Sequence, residues 1–304
     1  MRALLIMGPT ASGKSALALA AAQALGGEIV NADSMQVYRD FRILTARPTL
    51  EEEARAPHHL YGHIDAGELY SVGRWLSDAL AAIATITARG ATPIIVGGTG
   101  LYFKALTEGL ADIPAADPET REALRARAAA EGAPALHAEL ARRDPATAAR
   151  LEPNDAPRIL RALEVLETTG ESISALHAST KAPLARDQWA GVALTPPREA
   201  LYTAIDRRFE VMLEAGALEE VRAFAARDLD PALPAMKAHG APALMAHLRG
   251  EMSLADAAEI GQRDTRRYAK RQFTWIAGQM PAWPRVAATE LEIRLNLLLA
   301  EAGG

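Results

Sequence analysis

Gly8-Pro9-Thr10-Ala11-Ser12-Gly13-Lys14-Ser15 lies directly behind an apolar run, Ala3 to Met7, and directly ahead of an Ala/Leu-rich stretch, Ala16 to Leu25. This order of strand, glycine loop and helix fits the pattern G-x-x-x-x-G-K-[ST], a phosphate-binding loop. The glycines let the backbone turn and approach a ligand closely. Successive N–H groups then join the helix N-terminus in an anion nest. Lys14 adds a full positive charge, and Ser15 is the residue such loops offer to Mg²⁺. A turn that binds nothing is the bland alternative. With Gly at ~7% of residues a chance match is roughly a one-in-a-hundred event, before the flanks are counted. The ligand expected is a di- or triphosphate.

At 304 residues there is room for one large α/β domain or two smaller ones, and 49% hydrophobic residues supply the core. A net charge of −5 confines any nucleic-acid contact to a local basic patch. The sequence has no cysteine, which excludes disulfides, thiolate zinc sites and a cysteine nucleophile and fits a cytoplasmic chain. The first apolar run is too short for a signal peptide, and no stretch approaches the ~20 apolar residues of a membrane span.

The fold class expected is α/β: a P-loop-type parallel sheet flanked by helices, with an all-helical insertion. Strands are predicted at 3–7, 28–31, 93–96 and 189–195. Helices are predicted at 15–25 and 75–89, and 41–67 reads as loop and short helix over the active site. Composition shifts near Pro114. Residues 1–114 and 186–304 are therefore assigned to the core, and 115–185 to an insertion with helices at 118–131, 134–143 and 154–168. After Pro197 helices are expected at 198–227, 241–249 and 253–278.

Asp33 follows the second strand, at the sheet edge where open α/β folds bind ligands. It reads as a Mg²⁺ ligand or general base, against a turn residue at near-even odds that its position tips toward function. The strand at 93–96 ends in Gly97-Gly98-Thr99, with no acid to poise water. That weakens an NTPase-switch reading and favours transfer to a pocket-bound acceptor. Thr99 can donate to a phosphate oxygen or simply close a turn; Arg222, taken alone, is a solvated helix arginine. His58, His59 and His63 read as surface or substrate-contact residues rather than a metal site. Arg263, Arg266, Arg267, Lys270 and Arg271 form a basic stripe at helical spacing, interleaved with Tyr268, Phe273 and Trp275. It is a solvated face or a polyanion footprint, with Arg158 and Arg161 as a second cluster.

Together, Gly8 to Ser15, Asp33-Ser34-Met35-Gln36-Val37-Tyr38, Thr45-Ala46-Arg47-Pro48 and Val96-Gly97-Gly98-Thr99-Gly100-Leu101-Tyr102 closely resemble the tRNA dimethylallyltransferases. The likeness runs on through Asn154-Asp155, Arg158, Arg161 to Glu164, Glu220-Val221-Arg222 and Arg266 to Trp275, nearly the whole chain. The resemblance implies transfer of a dimethylallyl group from dimethylallyl diphosphate to N6 of adenosine 37, 3′ of the tRNA anticodon. It implies Mg²⁺ at Ser15, Asp33 as general base, and Thr99, Arg222 and Lys14 on the departing diphosphate, with no nucleotide hydrolysed. It implies tRNA contacts at Asp33, Ser34, Met35, Gln36, Thr99, Arg121, Pro157, Arg158, Ile159, Leu160, Arg161, Lys237, His239 and Gly240. The stripe adds Arg263, Arg267 and Lys270. The expected partners are the anticodon stem-loop and the prenyl donor, with no membrane, and the chain acts as a cytoplasmic monomer.

Two stretches depart from the family pattern. Leu44 stands where Gly is usual before Thr-Ala-Lys-Pro, and His239-Gly240-Ala241-Pro242 replaces Ile-Gly-Tyr-Arg. Both bear on the RNA side rather than the diphosphate side. A small-molecule P-loop kinase would share the loop and the acid but not account for the insertion or the stripe. An RNA-binding module with a relic loop would not need Asp33.

Overall fold

The structure, a computed structural model, describes residues 2–111, 113, 116–178 and 180–303. The elements run β1 Ala3–Met7, α1 Lys14–Leu25, β2 Gly27–Asn31, α2 Leu50–Arg55, β3 His58–His59, α3 Val72–Ala88, β4 Thr92–Gly97 and α4 Gly100–Glu108. Five helices follow: α5 Pro118–Glu131, α6 Ala133–Arg143, α7 Pro145–Ala148, α8 Ala156–Thr169 and α9 Ile173–Ala178. The chain continues with β5 Trp189–Leu194, α10 Arg198–Glu214, α11 Ala217–Ala225, α12 Ala241–Leu248, α13 Leu254–Gln279, β6 Arg285–Val286 and α14 Leu291–Gly303.

The six strands form one parallel sheet in the order β3-β2-β4-β1-β5-β6. Both of its faces are covered, so β1 is apolar throughout instead of alternating. The period-2 pleat still sorts its side chains. Ala3, Leu5 and Met7 join Trp75 and Phe103 in one core, while Leu4 and Ile6 join Leu17, Val192 and Leu298 in the other. The central order β2-β4-β1-β5 places the C-terminal ends of β1, β2 and β4 side by side, where a ligand crevice opens.

Several expectations change. The stretch 198–227 is two helices, because Gly216 adopts φ 102° between them. The two-residue strands β3 and β6 and the helices α4 and α14 were not foreseen. The 75–89 helix starts earlier, at Val72, where Ser71 caps it by accepting from the Arg74 N–H at 3.1 Å.

The chain divides into two compact units, Met1–Thr107 with Leu184–Gly304, and Glu108–Pro183. The boundary expected between 114 and 115 falls on Pro114 and Ala115, outside the described residues. Among its described residues the second unit contains helices and no strand. Leu124, Leu136, Leu140, Ala148, Ile159, Ala162 and Leu163 form its own core. Among the described residues, no helix is long and apolar enough to cross a membrane.

Candidate active site

The phosphate loop hangs between β1 and α1. Gly8 N–H donates to Gly97 O at 3.2 Å, which ties the loop to the end of β4. Ala11 and Gly13 adopt φ 62° and 80°, the left-handed turns that aim successive N–H groups inward. Lys14 curls back, its Nζ 3.3 Å from Pro9 O. Burial pushes its pKa down to about 8; the charge of Arg208 pushes the same way and Asp33 opposes both. Arg208, projecting from α10, donates to Thr10 Oγ1. Burial also lowers the Arg208 pKa, again against Asp33. Ser12 Oγ is buried without a hydrogen-bond partner. Two concentrated cations, a nest and an orphaned hydroxyl are what an oligophosphate would satisfy.

Asp33 is held opposite this cradle by the end of β2. Asn31 Oδ1 accepts the Asp33 N–H at 2.9 Å, and Asn31 Nδ2 donates to Asp33 O and Leu60 O, both at 3.0 Å. Trp75 Nε1 donates to Asn31 O at 2.8 Å, so the strand end is pinned by a buried indole. Asp33 Oδ1 accepts the Met35 N–H at 2.9 Å. Thr99 lies beside it, its Oγ1 accepting the Ser34 N–H at 2.9 Å, while its own N–H donates to Ala32 O at 3.1 Å. This approach requires Gly97, because a Cβ there would run into the Ala32 backbone.

One cavity joins the pieces. Thr10, Asp33 and Arg208 line it with the apolar Met35, Leu44, Ile205, Phe209 and Met212. His239 and Tyr268 form a further wall, ring centroids 4.5 Å apart and tilted by 42°. Burial, then the charge of Asp33, raises the Tyr268 phenol pKa; its hydroxyl meets Thr99 and Gln272. Burial, reinforced by Arg271 and opposed by Asp33, lowers the His239 pKa and keeps the ring neutral near pH 7. Leu44, the first departure, is therefore cavity wall, and His239 belongs to the second.

Other expected site residues fall elsewhere. Arg222 does not reach the cradle: it is exposed on α11, 3.8 Å from Glu219 Oε1. The arginine that bonds the loop, through Thr10, and lines the cavity is Arg208. The neighbouring Glu220 is structural, accepting the N–H groups of Arg42, Ile43 and Leu44 at 2.5, 3.0 and 2.8 Å. Gln36 turns its amide onto Thr45 O and Ala46 O, at 2.8 and 2.9 Å, instead of facing outward. In the second unit Ile159 is fully buried in the core, so its side chain cannot touch RNA. Pro157 opens α8, Leu160 is partly buried, Arg158 pairs with Asp155 at 2.9 Å, and Arg121 and Arg161 share Glu164 at 3.7 and 3.4 Å. Lys237 is exposed ahead of α12, and Gly240 holds φ 90° against the Phe209 ring. On α13, Arg263, Arg267 and Lys270 are exposed; the first two share Asp264 at 3.3 and 3.5 Å, and Arg266 pairs with Asp206. His58, His59 and His63 separate, His59 bonding Glu28 at 2.6 Å. Among the described residues no three His, Cys, Asp or Glu gather as a metal cage.

The family described as IPP transferase matches residues 36–279, and that described as isopentenyl transferase matches residues 1–63. A tRNA dimethylallyltransferase of Nitrobacter hamburgensis is 58% identical over 298 residues, 98% of this chain and 94% of that protein. The chain belongs to the tRNA dimethylallyltransferase family. Among solved members, the full-length tRNA isopentenylpyrophosphate transferase of Bacillus halodurans is 34% identical with a TM-score of 0.71, covering 99% of this chain and 96% of that one. A eukaryotic dimethylallyltransferase captured acting on tRNA is 30% identical with a TM-score of 0.81, covering 96% of this chain and 75% of that one. Family membership bears on the whole chain, the core and the insertion alike. Within it, the expectation of a parallel α/β core holds.

Proposed function

We propose that this chain transfers the dimethylallyl group of dimethylallyl diphosphate to N6 of adenosine 37 in tRNA, releasing diphosphate. The observation that carries the reading is the cavity: a carboxylate, Asp33, faces a cationic phosphate cradle across apolar walls. The phosphate loop, Lys14 and Arg208 take the diphosphate, and Thr99 assists at its edge. Met35, Leu44, Ile205, Phe209 and Met212 enclose the five-carbon chain and exclude water. The C1–O bond breaks with its electron pair leaving on diphosphate, and a bond forms from N6 to C1. The N6 proton passes to the Asp33 carboxylate.

Fixed cations around the departing oxygen stabilise its developing charge, which is where such sites gain most. An exocyclic amine is a poor nucleophile, so a placed base helps. Mg²⁺ would be held at the loop by the exposed Ser15 hydroxyl at the start of α1. When bound, the ion supplies further charge neutralisation to the diphosphate. The target base must leave its stack to enter the cavity, and His239 against Tyr268 gives it an aromatic wall. The α13 stripe and the helical insertion are assigned to the anticodon stem-loop, and the chain to a cytoplasmic monomer.

Incubation with tRNA and labelled dimethylallyl diphosphate, without ATP, should place label on N6 of adenosine 37. Strict dependence on ATP, with phosphate appearing on a small acceptor, would instead identify a kinase.

A further inference from the structure

Arg294 of α14 is a buried cation, with 5% of its surface exposed. Its Nη1 donates to Ser12 O and its Nε to Ala288 O, both at 2.7 Å. Among the described residues no carboxylate lies within ion-pair distance of it; Glu290 attracts it only at longer range while bonding Thr289 at 3.2 Å. A buried guanidinium satisfied by carbonyls alone retains an uncompensated charge, and such a charge is costly unless an anion answers it.

The carbonyl it binds belongs to the peptide joining Ser12 to Gly13, inside the phosphate loop. Gly13 is the residue before the first turn of α1, so the N–H of that same peptide belongs to the nest. A cation on the oxygen of a peptide polarises it and makes its N–H a stronger donor. The fit is close: a Cβ on Gly13 would lie 2.5 Å from Arg294 Nη1. Glycine is favoured there by φ 80°, and the guanidinium crowds the same position. Leu298, one turn further along α14, is fully buried with Leu4, Ile6 and Leu17, which fixes the helix behind β1 and α1.

We propose that Arg294 is a positioning residue of the diphosphate site, acting through the Ser12–Gly13 peptide, so that docking of α14 and diphosphate binding reinforce each other. The proposal rests on reading the loop as a diphosphate cradle.

The test uses inorganic pyrophosphate as the probe, titrated calorimetrically into the full chain, with thermal melts to confirm folding. Arg294→Met should weaken pyrophosphate by about tenfold, within the usual span of coupling between sites. It should raise the KM for dimethylallyl diphosphate in parallel and leave the KM for tRNA unchanged. Arg294→Lys, which keeps the charge, should recover part of the loss. In the wild-type chain, saturating pyrophosphate should slow amide exchange across 291–303, since coupling is reciprocal. Wild type and a folded Arg294→Met binding pyrophosphate equally would overturn the proposal alone. If that variant does not fold, unchanged exchange over 291–303 in the liganded wild type would overturn it. No pyrophosphate binding by the wild type would instead overturn the diphosphate reading beneath it.

Discussion

Around the phosphate loop, buried side chains are committed to backbone atoms. Gln272, 3% exposed, accepts the Thr10 N–H and donates to Gly98 O, both at 2.9 Å. Asn31 likewise accepts the Asp33 N–H and donates to Asp33 O, and Arg294 donates to Ser12 O. The helical insertion, besides its own side-chain-to-backbone bonds, carries a chain of partly exposed arginine–carboxylate pairs: Arg127 with Glu131 and Glu139 at 2.8 and 2.6 Å, Arg143 with Glu139 and Glu167 at 3.0 and 2.6 Å. Buried bonds fix a backbone in one geometry, whereas exposed pairs are screened and exchange readily with water. Under the proposed function the cradle holds donors where charge develops, and the insertion's arginines trade a carboxylate for an RNA phosphate.

That contrast can be broken at several points. Asp33→Asn should lower the transfer rate by about 10²–10⁴-fold, the range of a general base. Its affinities for pyrophosphate and tRNA should stay near wild type; a rate loss explained by weaker binding would remove the base assignment. Arg208→Gln should lower kcat by about 10²–10³-fold, as loss of a transition-state donor does, with Arg222→Gln close to wild type. The reverse order in a steady-state assay would return Arg222 to the site. Burial pushes the Lys14 pKa down to about 8 in the free protein. The amine is charged below that pH and neutral above, so pyrophosphate affinity should hold up to about pH 8 and decline beyond it. Calorimetry in a pH series on wild type and Lys14→Met shows this, because the variant should lack the inflection.

On the RNA side, Arg267→Ala with Lys270→Ala should reduce the salt slope of tRNA binding by about one to two. An unaltered slope would make the stripe an ordinary solvated face. The smallest effect belongs to the insertion's own pairs. Arg143→Ala should change unfolding free energy by no more than about 1 kcal/mol in a denaturant titration, as exposed pairs do.

The parallel core was legible because β1 is an unbroken apolar run, β4 and β5 are largely apolar, and its loop has a rigid spacing. That Asp33 sits beside the loop was legible from its place after the second strand, whereas Thr99 read equally as a turn residue and the roles expected of both came from the family resemblance. The position of Arg208 was not legible, since either arginine of Asp206-Arg207-Arg208-Phe209 looks like any exposed helix residue. Only the packing of α10 against the loop distinguishes it. The Glu220-Val221-Arg222 stretch drew attention to the wrong charge, because the acid pins residues 42–44 and the arginine faces outward. β3 and β6 have two residues each, too short for a periodic signal, and their pairing comes from neighbouring strands. Arg294 lies in a stretch with no motif, and its role depends on a contact 282 positions away in sequence.

Whether carbon or phosphorus leaves the cradle can be measured with dimethylallyl diphosphate carrying oxygen-18 at the oxygen bridging C1 and phosphorus. Reacted with tRNA in the absence of ATP, the wild-type chain should release pyrophosphate containing all of the heavy oxygen, with an unlabelled prenyl group on adenine. Heavy oxygen retained on the five-carbon fragment would mean that the O–P bond breaks, and would contradict prenyl transfer from this site.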